Sequence, residues 1–168
     1  MRKAILTLTI TLAGALTAPL ATQASPKDDG LSLTLGTPVN FAPTADCPTG
    51  AALYGLALHG ERGSGENCIG DEIPADCPPG VTAQFCQNVP VRMTFSFAGG
   101  RIEADGAIFE AWNCDASCAV DQRWSGTVTT GTRRFHALAG ATVSGGGLFA
   151  FDQATFALVA FDETLVVG

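Results

Sequence analysis

Trp124 to Gly147, WSGTVTTGTRRFHALAGATVSGGG, is the stretch whose reading decides the fold. It reads as a β-strand, a tight turn marked by Gly131, a short aromatic strand around Phe135, a second turn at Gly140 and a further strand. It holds no nucleophile–base pair, no metal-ligand cluster and no phosphate loop. It therefore points to an architecture and not to a reaction.

The same period of two runs outward from this block. Val89, Val91, Met93, Phe95 and Phe97 alternate with Pro90, Arg92, Thr94 and Ser96, so one face of that run must be buried. Ile102, Ala104, Gly106 and Ile108 alternate with Arg101, Glu103, Asp105 and Ala107, and Gly99-Gly100 is expected as the two-residue hairpin turn between the runs. Leu31, Leu33 and Leu35 alternate with Ser32 and Thr34. Ala154 to Val167 is apolar on both phases up to Phe161, the pattern of a strand covered on both sides or of a short helix. Its β-branched Thr155, Val159, Thr164, Val166 and Val167 favour the strand. No segment carries a sustained helical stripe, and the 20 glycines fall between strands. The chain reads as all-β and antiparallel, with six to nine strands. Between a sandwich and a closed barrel, strands joined in sequence by tight turns fit an up-and-down barrel, which also removes exposed edges. The exception is Gly60 to Asn88, expected as an irregular Cys-rich loop that disulfides order in place of secondary structure.

The N-terminus carries an address. Arg2 and Lys3 precede an apolar Ala4–Ala18, and Thr22-Gln23-Ala24 is a small-residue cleavage site, so residues 1–24 are expected as a signal peptide and Ser25 as the mature start. The alternative, a membrane anchor, needs about 20 apolar residues. Here the run is broken by Thr7, Thr9, Thr11, Gly14 and Pro19. No other segment is expected to span a membrane. Residues 25–168 then form one domain with a sizeable core. This mature part carries 7 Lys/Arg against 16 Asp/Glu, a net charge of −9, and Lys27 is its one lysine. Such a surface repels nucleic acid and anionic lipid.

Cys47, Cys68, Cys77, Cys86, Cys114 and Cys118 all lie in the mature part, and an even number in an exported chain reads as three disulfides. Six cysteines allow 15 pairings. Cys114 and Cys118 enclose only Asp115-Ala116-Ser117, a polar turn that a bridge would pin, which favours that pair. Cys77–Cys86 and Cys47–Cys68 are the working assignment for the rest. A zinc site is the alternative, and neither a C-x-x-C pair nor a second histidine at ligand spacing supports it.

The central block resembles the allene oxide cyclase barrel-like proteins, a family of small exported bacterial β-barrels of calycin- and dirigent-like shape. The residues that carry the resemblance are Ser125-Gly126-Thr127-Val128, Gly131-Thr132, Phe135, Ala139-Gly140-Ala141 and Val143-Ser144-Gly145. The upstream hairpin and the Gly63-Ser64-Gly65 to Cys68 entry fit as well. The likeness spans roughly residues 60 to 165. It implies a barrel of about eight strands and carries over no catalytic residue. The sequence departs from the family pattern at Arg133, where a glycine usually follows Gly-Thr. A positive φ there costs something in a non-glycine residue.

Candidate sites are few. Counting in twos from Ile102 reaches Glu110 and Trp112, which puts a carboxylate on the face of Ile108. If that face lines the barrel, Glu110 is placed as a general acid or ligand anchor would be. The plainer expectation is a strand end or bulge that releases it to solvent before Cys114. His59 is expected at the rim beside Glu61, and His136 follows Phe135. Either could serve in acid–base chemistry, although a lone histidine at a turn is more often a surface residue. Ser64 and Ser125 lack a G-x-S-x-G context. Glu61, Glu66, Asp71, Glu72 and Asp76 crowd one loop without calcium-loop spacing. Trp112 and Trp124 flank the Cys114–Cys118 hairpin and are expected in the core. Arg133-Arg134 reads as a surface turn.

These residues favour an exported, non-enzymatic binding or envelope-associated module. Its partner is a small apolar ligand, held by Glu110, Trp112 and His59. No cofactor, metal, nucleic acid or catalytic residue is expected. The alternatives are an isomerase or cyclase acting on a small apolar substrate in the barrel, and a structural or interaction protein with a packed barrel.

Overall fold

The alternating runs extend as the period of two demands. The computed structural model describes residues 30–48 and 50–168, and the expected signal peptide lies outside them. The elements are β1 (Leu31–Ala42), β2 (Ala51–Leu58), β3 (Glu61–Ile69), β4 (Ile73–Ala75), β5 (Phe85–Phe97), β6 (Gly100–Cys114), β7 (Ser117–Gly131), a 3-10 helix (Arg133–Leu138), β8 (Thr142–Asp152) and β9 (Leu158–Val167). Every pairing is antiparallel. Eight strands close into a barrel in the order β1-β2-β3-β5-β6-β7-β8-β9 and back to β1, with β4 appended to β5. Closure runs through two seams, Ser64↔Ser96 to Ile69↔Val91 and Leu31↔Val167 to Leu35↔Glu163. Closure leaves the eight strands without an open edge.

The inner face is packed solid at one end. Leu33, Met93, Phe95, Ile102, Leu165 and Val167 are fully buried there. Each large apolar side chain so buried contributes roughly 1.5–3 kcal/mol. Phe135 swings in from the 3-10 helix, packs 5.7 Å from Phe97 and closes that end. Arg134 lies 4.6 Å over the Phe135 ring and pairs with Glu61, which anchors the helix to β3.

The aromatic segment is thus a 3-10 helix and not the expected short strand. Arg133 turns the chain out of the strand direction with φ of 51°, and the Phe135 amide then donates to Thr132 O, the short-range bond of that helix. The β5–β6 turn is Ala98-Gly99, one residue earlier than Gly99-Gly100. Gly100 already pairs with Phe97, and a Cβ there would sit 2.4 Å from Thr132 O. The expected Gly60–Asn88 loop is corrected too: its first third is β3, a full barrel strand, and the irregular connection shrinks to the stretch around β4. In the C-terminal run, residues 154–157 form a turn in which Asp152 Oδ1 accepts from the Ala154 and Thr155 amides. The strand that follows is not covered on both sides, since Val159 is 64% exposed and Val166 44%.

The disulfides are Cys47–Cys68, Cys77–Cys86 and Cys114–Cys118, as assigned from the sequence. They suit an oxidising, extracytoplasmic compartment.

Candidate functional site

Along β6 the inward phase continues past Ile108 to Glu110 without a bulge, so the carboxylate stays inside the barrel and is 8% exposed. This overturns the expectation that it is released to solvent. What keeps it inside is a polar row running across the strands. In register, Gln87 on β5 faces Glu110 on β6, Glu110 faces Gln122 on β7, Gln122 faces Gly147 on β8 and Gly147 faces Glu163 on β9. Gln122 Nε2 donates to Glu110 Oε1 at 2.7 Å, and Gln87 Nε2 and Trp112 Nε1 donate to Oε2 at 2.8 and 2.9 Å. Three N–H donors offset much of the cost of taking a carboxylate out of water.

Glu163 has no such support. It is 1% exposed, and the one donor beside it, the Trp124 indole N–H, falls short of good hydrogen-bond geometry. Burial pushes its carboxyl up to about 8, the negative charge of Glu110 adds to the shift, and the neighbouring Trp124 indole opposes it. The Trp124 Nε1–H is itself buried without a hydrogen-bond partner. Tyr54, on β2, donates its hydroxyl to Asn67 Oδ1 at 2.8 Å. Burial and then the Glu163 charge push the Tyr54 hydroxyl well above its ordinary range, against the opposing effect of that hydrogen bond.

Above this polar floor the barrel is hollow. A cavity of about 180 Å³ is lined by Tyr54, Asn67, Glu110 and Gln122 on its polar side and by Trp124, Phe149 and Phe161 among its apolar walls. A cavity of about 150 Å³ accepts a benzene ring, so a monocyclic body fits. Toward solvent it runs into an apolar recess of about 320 Å³ formed by Phe41, Trp112, Phe151, Phe156 and Leu158. Trp112 stacks on Phe85 with centroids 5.5 Å apart and meets the edge of Phe151 at 6.0 Å. Trp124 is in the core as expected, whereas Trp112 is half-buried in the mouth.

Of the residues singled out in the sequence, Glu110 and Trp112 come together and His59 does not join them. His59 is exposed in the β2–β3 turn, at the packed end of the barrel. His136 is exposed on the 3-10 helix, and Ser64 and Ser125 face outward. The acidic loop residues also separate. Glu61 pairs with Arg134, Glu66 accepts from Thr44 Oγ1, and Glu72 alone reaches the cavity rim. Among the described residues no three His, Cys, Asp or Glu side chains group as metal ligands.

Gln87, Gln122, Glu163, Tyr54 and Asn67 are the residues the sequence reading missed. For three of them a signal is present. Gln87 lies two before Val89, Gln122 between Val120 and Trp124, and Glu163 two before Leu165, each a polar interruption of an inward apolar phase. The count in twos that reaches Glu110 reaches them as well.

No family model, curated protein or solved structure matches this chain.

Proposed function

We propose that the protein is an exported binding module that holds a small, largely apolar ligand in the open half of its barrel. The observation that carries this reading is the cavity of about 180 Å³, which continues the packed core with aromatic walls and ends on a hydrogen-bonded polar floor. Pockets of this make-up, apolar with a few convergent polar groups, are where small ligands bind. Export through a cleaved leader at residues 1–24 goes with it, supported by three disulfides. The outer face carries Arg92, Thr94, Arg101, Glu103 and Asp105 against an apolar interior, the reverse of a lipid-embedded barrel. Kinship with the allene oxide cyclase barrel-like proteins belongs to the same proposal, supported by the closed eight-stranded architecture.

Native mass spectrometry of protein purified from its own host tests the reading. The expected result is a small-molecule mass that leaves on collisional activation. A ligand-free spectrum, together with no change in Trp124 fluorescence on adding benzene, would sink it. The isomerase reading has one observation behind it, namely that Glu110 lines the cavity, where a carboxylate could move a proton on a bound apolar substrate.

A further inference from the structure

The cavity joins two features that a purely apolar ligand does not explain. The first is uncompensated acid. Glu110 lines the cavity, and Glu72 stands at its rim. No lysine, arginine or histidine is among the lining residues. Arg101, Arg123 and Arg134 form their ion pairs with Glu103, Asp121 and Glu61. The oxygens of Glu110 are already engaged by Gln87, Trp112 and Gln122, so its hydrogen-bonding capacity is largely met and its charge is not. The second is the aromatic wall. Phe41, Tyr54, Trp112, Trp124, Phe149 and Phe161 all line the same space. Tyr54 and Trp124 meet edge to face at 6.5 Å, and Phe149 and Phe161 at 6.1 Å. Ring faces attract cations, and a cation without N–H donors gives up the least hydration on entering such a space.

We propose that the ligand is an organic cation of the quaternary ammonium class, with its charged head among the aromatic rings over Glu110 and its apolar body toward the Phe151–Phe156 mouth. This rests on the reading of the barrel as a ligand-binding cavity and adds the sign of the ligand's charge. A neutral apolar ligand would leave the Glu110 charge buried without a counter-charge, and an anion would meet repulsion. A hydrated metal ion would find the carboxylate oxygens already taken.

Isothermal titration and Trp fluorescence with benzyltrimethylammonium, against its uncharged carbon isostere neopentylbenzene, separate the possibilities. The expected result is that the cation binds at least tenfold more tightly than the isostere, and that Glu110→Gln removes at least tenfold of the cation affinity and lowers that of the isostere by a clearly smaller factor. Equal affinity for the two probes overturns the cation assignment and leaves the apolar-ligand reading standing. Cation binding that Glu110→Gln does not weaken also overturns it, since the probe is then held by the acidic outer surface. Binding of neither probe by the wild-type protein overturns both readings. The wild-type comparison of the two probes is decisive even if Glu110→Gln fails to fold.

Discussion

A carboxyl that is 1% exposed and faces a second carboxylate is held neutral by its surroundings, and for Glu163 this ties stability to pH. Its folded value of about 8 stands above its ordinary 4.5. Between those two values the folded chain holds a proton that the unfolded chain has released. Stability from this group is therefore complete below the ordinary value and is lost as pH rises through the folded one. A tenfold difference in proton affinity corresponds to about 1.4 kcal/mol, so the loss across the window is on the order of a few kcal/mol. Glu163→Gln keeps the shape and removes the titration. Guanidinium unfolding should show wild-type stability dropping between about pH 5 and 8 and levelling off above that, with the variant staying level throughout and the more stable at pH 9. Parallel curves for the two proteins would show that Glu163 does not titrate in this range. The same residue marks how far a sequence can be read. Its inward position follows from counting in twos back from Leu165. That it stands in line with Glu110 depends on the registers of β6 to β9, which no single strand reveals.

At the level of strands, legibility follows side-chain size. β5 and β6 announce themselves because their inward positions hold Val, Met, Phe and Ile. β3 does not, because its inward positions include Gly65 and Asn67. The reason lies on the neighbouring strand. Tyr54 fills the interior in front of Gly65, where an added Cβ would come within 2.1 Å of the ring. An element that yields its share of the core to a neighbour's aromatic side chain loses its own apolar signature, and the Cys-rich stretch reads as a loop for that reason. The candidate site is legible in the same proportion. Glu110 and Trp112 can be placed because they extend a clean run, while Tyr54–Asn67 is a contact between strands with no local trace. Gly65→Ala should therefore cost about 1–3 kcal/mol, as overpacking in a filled interior does. Because Tyr54 must move, the variant should also weaken binding of any cavity ligand. Thermal melts by circular dichroism with and without benzene measure both effects. An unchanged melting temperature would mean that the ring yields freely.

Across the whole barrel the two ends are held by different means. The end around Phe95, Ile102 and Phe135 is filled, while the end around Glu110 and Phe149 is hollow and contributes less burial. All three disulfides lie at the hollow end. Cys47–Cys68 ties the β1–β2 connection to the end of β3, Cys77–Cys86 ties the segment after β4 to the start of β5, and Cys114–Cys118 pins the β6–β7 hairpin. Covalent links there substitute for the core that a binding cavity displaces. Restraint of the unfolded chain grows with loop length, so Cys47–Cys68, with a separation of 21, should contribute most, about 3 kcal/mol, and Cys114–Cys118, with a separation of 4, about 2 kcal/mol. Reduction should then act unevenly. Hydrogen exchange followed by mass spectrometry, with and without reductant, should show amides near Cys68, Gln87 and Trp112 losing protection first. Those of β5 and β6 around Phe95 and Ile102 should keep theirs until global unfolding. Ligand binding should be lost with the first group, because the cavity walls belong to it. Uniform loss of protection along the strands would mean that the barrel opens as one unit and that the bridges stabilise the fold as a whole rather than its open end.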